Sequence, residues 1–145
     1  MSFHVSVGDH VQFTKTVGEY DVYSFAGITG DFSANHVDEE TLSHTPYGGR
    51  IAHGALLVGY MSTASTLMIE STHDKSAGPE LPVSLGYDGI RFLKGVRFGD
   101  TLTTHYTIAE IDQERRRSLS DIKVVNQHGE TVAVGHHILK WVKKA

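Results

Sequence analysis

The chain contains no cysteine. Neither disulfides nor thiolate chemistry can contribute, which fits a reducing interior. Basic residues are not in excess either: 13 Lys and Arg against 17 Asp and Glu give a net charge of −4. Nucleic acid normally meets a basic face, so that class of partner is set aside. Arg115, Arg116 and Arg117 are the one local exception and read as a solvated turn. Met1 to His10 lacks the basic region and apolar run of a secretory signal. The stretch between Arg50 and Glu70 carries no formal charge, yet His53, Ser62, Thr63, Ser65 and Thr66 make it too polar to span a bilayer. HExxH, a serine-nucleophile elbow and a phosphate-cradling loop are all missing, and the 10 histidines show no compact His/Asp cluster. No metal is therefore expected. These absences leave an expectation of one cytoplasmic domain over residues 1–145, with no membrane or nucleic-acid partner.

What is present is ordinary for a globular protein, with 39% hydrophobic and 21% charged residues. His10 to Val17 alternates like a strand, with Val11 and Phe13 on one face. Thr16-Val17-Gly18-Glu19 fits the S/T-x-x-E capping pattern ahead of a short helix from about Glu19 to the Gly27–Gly30 region. Asp38, Glu39 and Glu40 place negative charge at the start of another short helix, which Pro46, Gly48 and Gly49 stop. From Gly54 the uncharged segment reads as a buried helix with apolar side chains around most of its circumference and no solvent face. Glu70 to Pro82 reads as a loop. Val83–Phe92, Thr101–Ile111, Ser118–Val125 and Glu130–Val142 are strand-like. One strand, a helical section and four strands give an α+β domain, an antiparallel sheet curled round one long helix.

Candidate chemistry gathers in Gly30-Asp31-Phe32-Ser33-Ala34-Asn35-His36, too rich in turn-formers for a regular helix. A loop there can bring Asp31 and His36 to one water molecule, where a carboxylate of raised pKa and an imidazole divide acid and base duties. Spacing alone equally allows Asp31 to cap a turn and His36 to bond to backbone. At His53-Gly54, glycine permits close approach to the free N–H groups of a helix start, which can bind a developing enolate oxygen. Ser62 lies two turns further on, on roughly the same face. It can touch a ligand or fill a crowded helix–sheet contact. Arg91, Lys94 and Arg97 can hold phosphates or simply keep a strand end soluble. His136 and His137, neighbours in a strand, point to opposite faces.

Phe25-Ala26-Gly27-Ile28-Thr29-Gly30-Asp31, then His36 and Asp38, then Arg50-Ile51-Ala52-His53-Gly54 resemble the hydratase motif of MaoC-like (R)-specific enoyl-CoA hydratases. Arg91-Phe92-Leu93-Lys94-Gly95-Val96 and Gly99-Asp100-Thr101 resemble the family's strand and turn, and the match runs from about Thr16 to the C-terminus. The resemblance implies a hot-dog fold and a homodimer or higher oligomer with sites near the subunit interface. It also implies reversible syn addition of water to trans-2-enoyl thioesters of coenzyme A or acyl-carrier protein, giving (R)-3-hydroxyacyl products. By that analogy Asp31 and His36 activate the water, and the Gly54 N–H binds the thioester oxygen. Asn35, His53, Ser62, Arg91 and Lys94 are the candidate substrate contacts. No cofactor is implied beyond the coenzyme A of the substrate. Two departures stand out: Ser33-Ala34 replaces the family's Asn-Pro, and Gly95 stands where proline is frequent, which loosens both turns. A hot-dog thioesterase and a non-catalytic acyl-thioester binding subunit are the rival readings.

Overall fold

The computed structural model of the chain describes residues 3–72 and 78–145. Its elements run β1 (His10–Thr16), α1 (Glu19–Thr29), α2 (Ala34–Val37), α3 (Glu39–Ser43), α4 (Gly54–Ser71), β2 (Glu80–Phe92), β3 (Thr101–Asp112), β4 (Arg117–Val125) and β5 (Thr131–Lys143). The five strands form one antiparallel sheet in the order β1-β3-β4-β5-β2. The consecutive β3–β4–β5 meander is its centre. In β3 the pattern alternates as the pleat requires, so Leu102, Thr104, Tyr106 and Ile108 turn inward to the core.

Helix α4 lies against the inner face of the sheet, packed on β1 and β3. Leu57, Tyr60, Met61, Ala64 and Met68 are its buried apolar residues. They join Val124, Val132, Ala133 and Trp141 in the core. Full burial of a Met or Leu side chain contributes ~1.5–3 kcal/mol, so this face is what fixes the helix to the sheet. The opposite face corrects the expectation of a helix without a solvent side. Ala55, Gly59, Ser62, Thr66 and Glu70 are exposed at helical spacing. Small and, apart from the terminal Glu70, uncharged, they do not read as a polar stripe in the sequence. Among the described residues, no helix is long and apolar enough to cross a membrane.

Several local expectations shift. Thr16 does not cap α1: it ends β1, its hydroxyl 2.7 Å from that of Thr101. The N-cap is Gly18, which has no side chain to accept an N–H, so only the acidic half of a capping box forms, with the Gly18 N–H donating to Asp21 Oδ2 at 2.8 Å. Strand β2 starts at Glu80 and includes Pro82, which an edge strand tolerates because its missing N–H need not serve a ladder. The middle of the expected Glu70–Pro82 loop, residues 73–77, lies outside the described residues. Arg116 is not simply solvated. It holds Glu80, which also accepts from His4 Nε2 at 2.7 Å, and it packs over Phe3, tying the N-terminal segment to two strands. Those two partners hold the Glu80 carboxyl down at about 2.

Candidate active site

Helix α1 ends in a left-handed cap at Gly30, φ 85°, whose N–H reaches Ala26 O at 2.8 Å. That turn throws the chain back so that Asp31 starts the next segment. Asp31 is exposed, not partly buried, and its Oδ1 accepts the Ser33 N–H at 3.3 Å. The following residues form the single helical turn α2, where a bend had been expected, and His36 sits in it, 8% exposed. The His36 imidazole meets Ile51 O at 2.7 Å through Nδ1. A carbonyl only accepts, so Nδ1 carries the proton and Nε2 keeps the lone pair in the neutral ring. His53, 2% exposed, points Nε2 at the main-chain oxygen of Asp31, 2.8 Å away, and leaves Nδ1 buried without a partner. The two imidazoles stack with centroids 3.7 Å apart, and Phe25 lies against His53 at 4.6 Å.

Asp31, His36 and His53 thus form a compact group, each offering a ligand-type atom within 4.8 Å of the others. The sequence had suggested no such cluster, because 22 positions separate Asp31 from His53 and only the fold closes the gap. Both bland alternatives also hold: Asp31 does cap a local turn, and His36 does bond to backbone. Neither bond uses the free side of His36, which lines the cavity described next.

The segment between α2 and α4 is clamped on both sides. Ile51 N–H donates to Asn35 O at 3.0 Å and Ala52 N–H to Val96 O at 2.8 Å. Arg50 anchors its start, donating to Glu19 (2.9 Å), Glu39 (3.0 Å) and Tyr23 Oη (3.1 Å), with its guanidinium 4.6 Å from the Phe98 ring centre. These carboxylates push the Arg50 pKa up, so the clamp stays charged at any physiological pH. Arg50 stands in the motif, but nothing local in the sequence marks this anchoring task.

Beside His36 opens a cavity of about 830 Å³ lined by Asn35, Gly54, Leu57, Phe92 and Lys94 among others. Of the expected substrate contacts, Asn35 and Lys94 stand on this lining, and Lys94 is paired with Glu130. His53 lies behind His36. Arg91 folds its guanidinium onto Ile90 O at 2.7 Å and does not line the cavity. Ser62 lines a second, smaller one. Two glycines are explained by close approach. A methyl group on Gly54 would meet the ring of Phe92 well inside van der Waals contact. One on Gly95 would lie 2.7 Å from the Tyr47 ring and 3.3 Å from Ile51, so glycine lets these elements pack where a looser turn had been inferred. Tyr47 carried no motif or charge signal that could have marked it, and Phe92 stood inside a motif without a role of its own.

The MaoC-like domain family matches residues 2–132. A protein of Rhodospirillum rubrum named (R)-specific enoyl-CoA hydratase is 30% identical over 115 residues, covering 77% of this chain and 72% of its own. A 3-hydroxybutyryl-CoA dehydratase of Methylorubrum extorquens is 33% identical over 108 residues, covering 72% and 60%. Among solved structures, the (R)-hydratase of A. caviae superposes with a TM-score of 0.79 at 21% identity, covering 94% of this chain and 96% of its own, a likeness of fold. A monoamine oxidase regulatory protein of Archaeoglobus reaches 0.81 at 27% identity, covering 97% and 92%. The sheet and its long helix are accordingly a hot-dog fold, and the chain belongs to the MaoC-like domain family.

Proposed function

We propose that the chain adds water reversibly to trans-2-enoyl-CoA thioesters, giving (R)-3-hydroxyacyl-CoA, with Asp31 and His36 handling the proton and the start of α4 binding the thioester oxygen. The hydro-lyase class rests on the family and on relatives named as hydratase and dehydratase. The observation that carries the finer reading is the approach of Asp31 and His36 within 4.8 Å beside the first turn of α4 and a cavity of substrate size.

The chemistry follows from the groups present. The thioester carbonyl draws charge from the double bond, and the Gly54 N–H at the positive end of the helix dipole stabilises that charge. Water held between the Asp31 carboxylate and His36 Nε2 gives its oxygen to the β-carbon. Its proton is taken up by the pair and one proton is returned to the α-carbon, so no redox partner is required. Proton transfers of this kind contribute ~10²–10⁴-fold. Lys94, on the lining, is placed to meet the phosphates of coenzyme A, in competition with Glu130.

The reading includes a homodimer. Strand β2 is a 13-residue edge, and Leu81, Leu85 and Phe92 are exposed along it. Unpaired strand edges of this length invite pairing with a second copy. The deciding experiment supplies crotonyl-CoA. Loss of the enoyl-thioester absorbance with (R)-3-hydroxybutanoyl-CoA as product supports hydration. Release of free thiol instead would assign a thioesterase, and tight binding without either change a non-catalytic subunit.

A further inference from the structure

If the thioester sits at Gly54, as the reading above has it, the acyl chain has to go somewhere, and the seam between α4 and β2 offers a path of limited length. Phe92 of β2 lies against Gly54 of α4. Further along the seam, the Tyr87 phenol reaches across to the Ser62 side chain. Beyond that crossing, Ser62, Ser65 and Thr66 of the helix face Pro82 and Ser84 of the strand around a separate cavity of about 270 Å³. The seam therefore has a cavity near each end, with the Tyr87–Ser62 crossing at the edge of the second.

That ring is held in place. It stacks on His137 with centroids 4.4 Å apart and planes 18° apart. His137 is fully buried, and both its nitrogens are engaged, Nδ1 with Tyr106 Oη and Nε2 with Ser84 Oγ, each at 2.7 Å. Swinging Tyr87 aside would break the stack and expose a pinned imidazole. We propose that Tyr87 is the stop at the end of the acyl channel, so that the protein selects short acyl groups and rejects long ones. From Gly54 to Ser62 the helix rises about 12 Å, and an extended chain advances ~3.5 Å for every three bonds. Allowing for the thickness of the ring, roughly eight acyl carbons fit.

The test is a binding ladder of saturated acyl-CoA thioesters, butanoyl to dodecanoyl, titrated calorimetrically into the wild type, Tyr87→Phe, Tyr87→Ala and Tyr87→Leu. Saturated chains cannot be hydrated, so the readout does not depend on turnover. Wild-type affinity should rise about fourfold per added carbon, then stop rising near eight carbons. Tyr87→Phe keeps the ring and should keep that break. Tyr87→Ala should carry the rise through to dodecanoyl, and Tyr87→Leu, which still covers His137, should move the break to longer chains if the alanine variant fails to fold. A wild type whose affinity keeps rising past ten carbons, a break unmoved in both smaller variants, or no binding of any acyl-CoA overturns the proposal. A clear break without hydration of crotonyl-CoA would sink the catalytic reading and leave the stop standing.

Discussion

The imidazoles of His36 and His53 lie face to face at 3.7 Å, and each directs one nitrogen at a main-chain oxygen, of Ile51 and of Asp31 respectively. Both rings are thereby fixed in tautomer and direction without help from a second carboxylate side chain. His53 also holds the backbone of Asp31 in place, so one imidazole orients the loop while the other keeps a nitrogen for the proposed proton exchange.

The first expectation concerns that exchange. Asp31→Asn keeps the local turn, since an amide oxygen can still accept the Ser33 N–H, and should melt close to the wild type. Its hydration of crotonyl-CoA should fall ~10²–10⁴-fold, as should that of His36→Ala. Near wild-type turnover in either variant would remove the pair from the mechanism.

Gly54→Ala separates packing from propensity. Gly54 is the first residue of α4, where alanine's advantage over glycine is smaller than the ~1 kcal/mol of a helix interior, so propensity alone would leave the site slightly stabilised or indifferent. Here the added methyl drives the half-exposed Phe92 ring toward the cavity. The variant should fold but lose at least about tenfold in kcat/KM, equivalent to ~1.4 kcal/mol. Adding Phe92→Ala to the same chain should restore part of the loss. No recovery in the double variant would mean the methyl itself blocks the site.

Acid should weaken the fold through His137. Burial pulls its pKa down to about 4, against an unfolded value of ~6.5. Between those values the unfolded chain takes up a proton that the native one refuses. Stability is therefore complete above pH 6.5 and falls as pH drops toward 4, by about 3 kcal/mol. Urea melts at half-unit steps from pH 7 to 4 should show this slope in the wild type and a shallower one in His137→Gln. An equal slope in both would place the acid sensitivity elsewhere.

A metal reading makes a distinct forecast. Metal-bound histidines also rest their second nitrogen on carbonyls, and Asp31, His36 and His53 are close enough to share an ion. Stacked rings with planes only 25° apart, however, keep the two in-plane lone pairs in nearly parallel planes, which disfavours their meeting at one ion. Dialysis against EDTA should leave hydration unchanged. Activity lost on chelation and regained with zinc would turn the acid–base pair into a ligand set.

Much of the architecture was legible because it rests on local periodicity. Alternation marked β1, strand-like composition marked β3 and β4, and the uncharged run marked α4. Legibility failed where partners are distant in sequence. Nothing local says that Arg116 finds Glu80, 36 positions away. At the site, the motif named Asp31, His36 and Gly54, while the stack of His36 on His53, the cover of Phe92 and the anchoring of Arg50 arise only when α1, α2 and α4 converge.

Because the partners of both imidazoles are peptide oxygens, no neighbouring side-chain replacement can delete them. Drift in surrounding residue identities should leave the rings aimed as they are, whereas a one-residue insertion in the Asp31–Asn35 or Arg50–His53 stretch would misdirect both together. Anyone transplanting this centre into another scaffold would have to copy a route of the main chain, with its lengths intact, before choosing a single side group.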